Sequence, residues 1–296
     1  MRVLVSGLLH VGSGKTVLAA SLVRALVREG FVAAASKPLG ATDLMCHPDV
    51  IGKTREARVL VTWDGYVLHR ASGERLPVEV VNPVGALLAP VLLSRHGGGS
   101  SYEATLSEPF RRAVLVRATA CVGESRSVHF INSDALLRTN RYVGEAVEEL
   151  ALYLNPPPVK AGDEAVSGLF SGSGAATADT CLALAESSSD VLIVESNSNV
   201  AAPTLRSAYP DIAIVVGYGE AYLIEGERFS RALEALALSG RPWVASSSEV
   251  LQLTGSSERL ELPLLEDPDE GYPQDTLQPI VERVKGLPTR RRQSSL

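Results

Sequence analysis

The stretch Gly7-Leu8-Leu9-His10-Val11-Gly12-Ser13-Gly14-Lys15-Thr16 decides how the chain folds. A short apolar run, Arg2-Val3-Leu4-Val5-Ser6, precedes it, and a helical pattern from Val17 to Glu29 follows. Strand, glycine-rich turn, Lys-Thr and helix together make a cradle for phosphate. The glycines let backbone N–H groups face an anion, and the helix N-terminus adds partial positive charge. In such a loop a lysine, here Lys15, reaches the terminal phosphates, and a hydroxyl, here that of Thr16, ligates Mg²⁺. The expected phosphate binders are Gly12, Ser13, Gly14, Lys15 and Thr16. The strict pattern G-x-x-x-x-G-K-[ST] requires a small residue at position 9, where this chain has Leu9. The plain alternative is an ordinary glycine turn beside a solvated lysine. His10 either touches nucleotide or a partner subunit, or is a solvated loop histidine.

The 296 residues, 45% of them apolar, suffice for one large α/β domain with a sizeable core. A single domain over residues 1–289 is expected, with a basic, frayed tail at 290–296 that carries Arg290-Arg291-Arg292. The formal net charge of −6 argues against nucleic-acid binding as the main task. Cys46, Cys121 and Cys181 show no C-x-x-C spacing, which speaks against a metal cluster or a disulfide framework and for a reducing cytoplasm. The opening strand leaves no room for a signal peptide, and no apolar run reaches membrane-spanning length.

Further along, Phe31 to Ala35 reads as a buried strand that Pro38 and Gly40 stop, which leaves Lys37 at its C-terminal end. In open α/β sheets that edge is where ligands sit. Asp64-Gly65 between two β-like runs predicts a hairpin, and Val78 to Val81 a further short strand. Together with strands at Val114 to Ala118 and Ser127 to Ile131, these give a β-rich insertion over about residues 59–131. The run His96 to Ser101, HGGGSS, is either a flexible loop or a second glycine-rich phosphate site. Asn132 is placed to cap a helix, and Val143, Val147, Leu150 and Leu154 mark an amphipathic one. Residues 155–176 read as a long loop. Ala178, Cys181, Leu182 and Ala185 share one helix face, which makes Cys181 a core residue. Val191-Leu192-Ile193-Val194 is a continuous apolar run ending in Glu195, the form of a central parallel strand that delivers a carboxylate to the sheet edge. Ile212 to Val216 and Pro242 to Ala245 are further expected strands. Helices are expected around Phe229 to Leu236 and Leu277 to Lys285. The fold class is α/β, a doubly wound and mostly parallel sheet.

Four stretches, taken in order, resemble the dethiobiotin synthetases, within the P-loop NTPase group that also holds the nitrogenase iron protein and cobyrinate amidase relatives. They are the loop ending Gly14-Lys15-Thr16, then Lys37-Pro38, then Asn82-Pro83-Val84 with Ala89-Pro90, and finally Val194-Glu195 with Ala202-Pro203. The resemblance covers about residues 1–95 and 175–245. It implies a P-loop NTPase that binds ATP and Mg²⁺ through Gly12 to Thr16, with Thr16 and Glu195 at the metal. Lys15 and Lys37 would clamp the phosphates, and Glu195 would act near Mg²⁺ or substrate. It further implies phosphoryl activation of a small carboxylate or carbamate, by a ligase or phosphotransferase acting on a small-molecule substrate that the sequence does not name. The sequence leaves Asp43, Asp49 and Asp134 open as a third metal ligand. The chain departs from the family in having Ser196-Asn197-Ser198-Asn199 where small glycines follow the acid, and Gly219-Glu220-Ala221-Tyr222 where an asparagine reads the base. Residues 96–175 match no part of it, and Asn132-Ser133-Asp134-Ala135-Leu136 resembles a metal-binding segment of the family but falls out of order. The alternative function is a nucleotide-switched ATPase or GTPase that works as a homodimer on a protein partner.

Overall fold

The computed structural model describes residues 1–238, 240–255, 258–268 and 270–287. The expected tail at 290–296 lies outside them. In chain order the elements begin with β1 (Arg2–Gly7), α1 (Lys15–Arg28), β2 (Ala33–Ser36), β3 (Leu39–Asp43), α2 (Val50–Ala57), α3 (Trp63–Ala71), α4 (Val78–Val81) and β4 (Val84–Leu88). There follow α5 (Gly99–Ser107), α6 (Pro109–Arg112), β5 (Ala113–Val122), β6 (Glu124–Asn132), α7 (Ser133–Arg138), α8 (Arg141–Ala151), β7 (Val159–Ala161), α9 (Asp163–Leu169) and α10 (Gly172–Ser187). The chain continues through β8 (Val191–Glu195), β9 (Ile212–Gly217), β10 (Glu220–Glu225), α11 (Gly226–Leu236), α12 (Ser247–Thr254), β11 (Glu258–Glu261) and α13 (Gln274–Lys285). The protein is mixed α/β, and most strand pairings are parallel. Among the described residues no helix is long and apolar enough to cross a membrane.

The chain divides into two compact units. The first comprises Met1–Pro38, Val67–Pro77 and the chain from Leu182 onward; the second comprises Leu39–Tyr66 and Val78–Cys181. Of the stretch 59–131, residues 59–66 and 78–131 are part of the second unit and 67–77 belong to the first.

In the first unit the sheet order is β11-β10-β9-β1-β8-β2. The middle strands β9, β1, β8 and β2 are all parallel, with Val5 of β1 opposite both Glu195 of β8 and Ile214 of β9. All five residues of β8 are buried, which explains why its sequence is a continuous apolar run rather than an alternating one. Leu4, Val194 and Val215 pack with Leu182 of α10, Phe229 of α11 and Val250 of α12. Helix α1 buries Leu18, Leu22 and Leu26 completely and contacts β1, β2, β8 and α13. Gly30 at φ +89° ends it in the left-handed conformation that glycine adopts freely. Where a further core strand was expected, Pro242–Val244 forms a 3-10 turn, with Pro242 in its first turn. Proline lacks the N–H that a sheet ladder needs, and its fixed φ suits a helical start.

In the second unit the order is β3-β4-β5-β6-β7. Strands β5 and β6 form the expected hairpin about Gly123, whose φ is +75°. The Asn132 side chain accepts from the Asp134 and Ala135 N–H groups and caps α7. The expected hairpin at Asp64-Gly65 is instead inside α3, and Val78–Val81 is a helical turn. Thr62 Oγ1 accepts the Gly65 N–H at 3.2 Å and caps the start of α3. A Cβ on Gly65 would come within 2.8 Å of Asn82, so this glycine serves close packing rather than a turn. The run HGGGSS opens α5 at Gly99. The expected loop 155–176 holds β7, α9 and the start of α10. A Cβ on Gly174 would lie 1.8 Å from the Leu169 carbonyl oxygen; the glycine lets the two helices meet there. Cys121 and Cys181 form a disulfide with Cα atoms 4.8 Å apart, against the expectation from their spacing, and Cys46 is free and exposed. Sixty residues of separation hid a contact that β5 and α10 create.

Arg117 is completely buried and donates to the carbonyl oxygens of Leu60 and Asn82. Burial lowers its pKa to about 10, partly offset by Glu79. Its partner across the strands, His129, accepts the Leu60 N–H on Nε2 at 3.2 Å and bonds the Pro156 carbonyl through Nδ1 at 2.8 Å. Burial pulls the His129 pKa down to about 4; the Pro156 bond opposes this and the Arg117 charge adds to it. A histidine held neutral contributes stability above its unfolded pKa of about 6.5 and loses it as pH falls toward the folded value. Urea unfolding is expected to show about 2 kcal/mol less stability at pH 5 than at pH 7, and His129→Leu is expected to remove most of that difference. An unchanged pH dependence in the variant contradicts the assignment. Thiol titration of the native, unreduced chain is expected to count one reactive cysteine, Cys46, rising to three after reduction and unfolding; three in the native chain contradict the pairing.

Candidate functional site

The parallel run of β1, β8 and β2 brings three chain segments to one sheet edge. The glycine-rich loop leaves the end of β1, Glu195 is the last residue of β8, and Lys37 directly follows β2. Glu195 Oε1 accepts the Thr16 hydroxyl at 2.8 Å and the Lys37 ammonium at 2.5 Å. Lys37 also donates to the Ser196 carbonyl at 3.0 Å. Glu195 is 0% and Lys37 3% exposed. An ion pair this deep is stable because each charge holds the other; removing one partner leaves a buried charge and costs about 3–5 kcal/mol.

The loop is built by close approach. A Cβ on Gly7 would come within 2.4 Å of Ser13 Oγ and 2.9 Å of Lys15 Nζ, so the loop folds back over its own strand end. Gly12 and Gly14 have φ of +78° and +80°, a backbone conformation that strains other residues. Lys15 Nζ donates to Ser13 Oγ at 2.9 Å, and both residues are buried. Helix α1 begins at Lys15 with Gly14 as its cap, so no side chain covers its N-terminus and no acid sits in its first turn. Helix α12, by contrast, carries a full capping box from Ser246 and Glu249. An uncapped N-terminus beside a buried ammonium favours an anion.

The loop after β8 is rigidly tied. The Ser196 hydroxyl donates to the Val200 carbonyl at 2.6 Å, and Ser247 of α12 donates its N–H to the Asn199 carbonyl at 2.8 Å. Ser198 has φ +50°, and its hydroxyl lies 2.8 Å from His10 Nδ1. This bond joins the crest of the glycine-rich loop to the loop that follows Glu195. His10 thus has a specific partner within its own chain.

Thr16, Lys37 and Glu195 come together at one carboxylate oxygen, and Lys15 bonds Ser13 within the glycine-rich loop that leads to Thr16. Asp43, Asp49 and Asp134 belong to the second unit and are engaged there. Asp43 pairs with Arg112, Asp49 with Lys53 at 2.8 Å, and Asp134 accepts the Asp163 N–H at 2.9 Å. The Lys53 bond lowers the Asp49 pKa against the opposing effect of burial, which suits an ion pair. Among the described residues no group of three or more His, Cys, Asp or Glu could hold a metal ion. A cation here would depend on Thr16 and Glu195 together with ligand oxygens and water, as Mg²⁺ commonly does.

Sequence reasoning missed Ser198 as the partner of His10, and it missed Tyr218 and Tyr272, whose hydroxyls approach the glycine-rich loop. Tyr218-Gly219 forms the two-residue turn between β9 and β10, a Gly-containing hairpin signal that was there to be read. Nothing in the sequence around Tyr272 marks it. Comparison of the chain with models of protein families, with curated proteins and with solved structures gives no match.

Proposed function

We propose that the protein is a P-loop NTPase that binds ATP with Mg²⁺ on the Gly7–Thr16 loop and transfers the terminal phosphoryl group to a small carboxylate or carbamate. One observation carries the proposal: the Thr16 hydroxyl and the Lys37 ammonium converge on a single oxygen of the buried Glu195, beside an uncapped helix N-terminus. Phosphoryl transfer asks a protein mainly for positioning and charge neutralisation, and these residues supply both. Loop N–H groups and Lys15 would hold the β- and γ-phosphate oxygens. Thr16 and Glu195 are hard oxygen donors of the kind Mg²⁺ takes, and the ion would neutralise phosphate charge when bound. Lys37 would face the charge that develops on the transferred group. The acceptor oxygen forms the new bond to phosphorus, the bond from phosphorus to the bridging oxygen breaks, and ADP departs with that electron pair. The acyl or carbamoyl phosphate so formed is activated for attack by an amine.

The hydrogen bond from His10 to Ser198 favours a second reading, a nucleotide-driven switch. Phosphate seated on the loop would act on that bond and, through Asn199 and Ser247, on α12. Assembly of two copies on addition of MgATP, seen by light scattering, separates the switch from the phosphotransferase.

Lys15→Ala is expected to abolish MgATP binding by calorimetry; unchanged affinity contradicts the proposal. Lys37→Met is expected to keep MgATP affinity within about threefold and to lose at least about a hundredfold in turnover. Full turnover in a folded Lys37→Met chain, checked by circular dichroism, would leave Lys37 a structural role only.

A further inference from the structure

Beside the glycine-rich loop the first unit has an open pocket of about 440 Å³. Its lining includes Tyr218 and Glu220 of the β9–β10 turn region, Arg259 of β11, Leu262 and Thr276. Tyr218 links pocket and loop. Its side chain lines the pocket, and its hydroxyl would lie 3.4 Å from a Cβ built on Gly12. The Leu8 N–H donates to the Val216 carbonyl at 2.9 Å, which fixes the start of the loop to the strand that carries this turn. Tyr272 approaches the same loop two residues on, with its hydroxyl 3.5 Å from a Cβ built on Gly14. Its backbone is anchored to α1, where Ser21 accepts the Tyr272 N–H at 2.9 Å. Two tyrosine hydroxyls from different segments thus approach the loop that would hold phosphate.

Resting on the phosphate-binding role proposed above, we infer that this pocket takes the nucleoside, with a purine base stacked on Tyr218 and the phosphates running past Tyr272 to Lys15. Tyr218 sits on the tight turn between β9 and β10 and is 76% exposed, which leaves surface for a flat partner. Bases stack on aromatic side chains, and the fused rings of a purine cover more of a tyrosine face than a pyrimidine does. The charges agree with this direction of binding. Glu220 and Glu261 flank the single Arg259, at 3.8 and 3.4 Å, so the pocket rim is net acidic and repels phosphate. The same carboxylates accept hydrogen bonds from base N–H groups. The ammonium that attracts phosphate is Lys15, at the loop end.

The test compares MgATP with inorganic tripolyphosphate, which has the phosphates without the nucleoside. Both are titrated by calorimetry into the full chain, into Tyr218→Ala and into Tyr218→Phe. Tyr218→Ala is expected to weaken MgATP at least about tenfold and to leave tripolyphosphate affinity unchanged, while Tyr218→Phe binds both like the parent. UTP is expected to bind the parent chain more weakly than ATP and GTP. Full MgATP affinity in Tyr218→Ala overturns the inference, as does an equal loss for both ligands, which would assign Tyr218 to the loop's shape. UTP binding as tight as ATP overturns the purine assignment. A parent chain that binds neither ligand overturns the phosphate-binding role itself, and the nucleoside site with it. Tyr218 is exposed, so its replacement leaves the core intact, and matching thermal melts confirm this.

Discussion

One carboxylate oxygen, Glu195 Oε1, holds the first unit's edge together. It receives a hydroxyl from the start of α1 and an ammonium from the segment after β2, and it is shut off from water. In that low-dielectric setting each contact is stronger than it would be at the surface, and the loss of either leaves an exposed debt of solvation inside the protein. Glu195 therefore fixes where the glycine-rich loop ends and where the chain leaves β2.

The parallel sheet makes this possible. Because β1, β8 and β2 run in the same direction, their last residues fall on one edge, and three segments distant in sequence meet without a long loop. β8 lies between the other two, so its final residue has neighbours on both sides. The close return of the loop over Gly7, the buried Lys15 and the uncapped start of α1 are local consequences of the same turn.

How much of this was legible in the sequence depended on the distance over which the signal acts. Strand β8 and the opening β1-loop-α1 unit were legible because burial on both faces and a glycine-lysine turn leave local patterns. The hairpin at Gly123 and the Asn132 cap were legible for the same reason. Asp64-Gly65 misled because a turn dipeptide and a glycine packed under Asn82 look alike until the neighbour is known. Residues 155–176 misled in the same way, since small residues serve tight helix contact as well as loops. The disulfide from Cys121 to Cys181, the bond from His10 to Ser198 and the tyrosines beside the loop all depend on long-range packing, and no spacing rule encodes them. The strands of the second unit are spread across a stretch with few motifs, so their pairing left little local signal.

The most direct measurement is a crystal structure of the full chain with Mg²⁺ and a non-hydrolysable ATP analogue. The account predicts the terminal phosphates against the N–H groups of Gly12 to Thr16, with Lys15 on their oxygens and the metal at the Thr16 hydroxyl beside Glu195. An analogue bound elsewhere, with the Thr16 and Lys37 bonds to Glu195 unchanged, would contradict it.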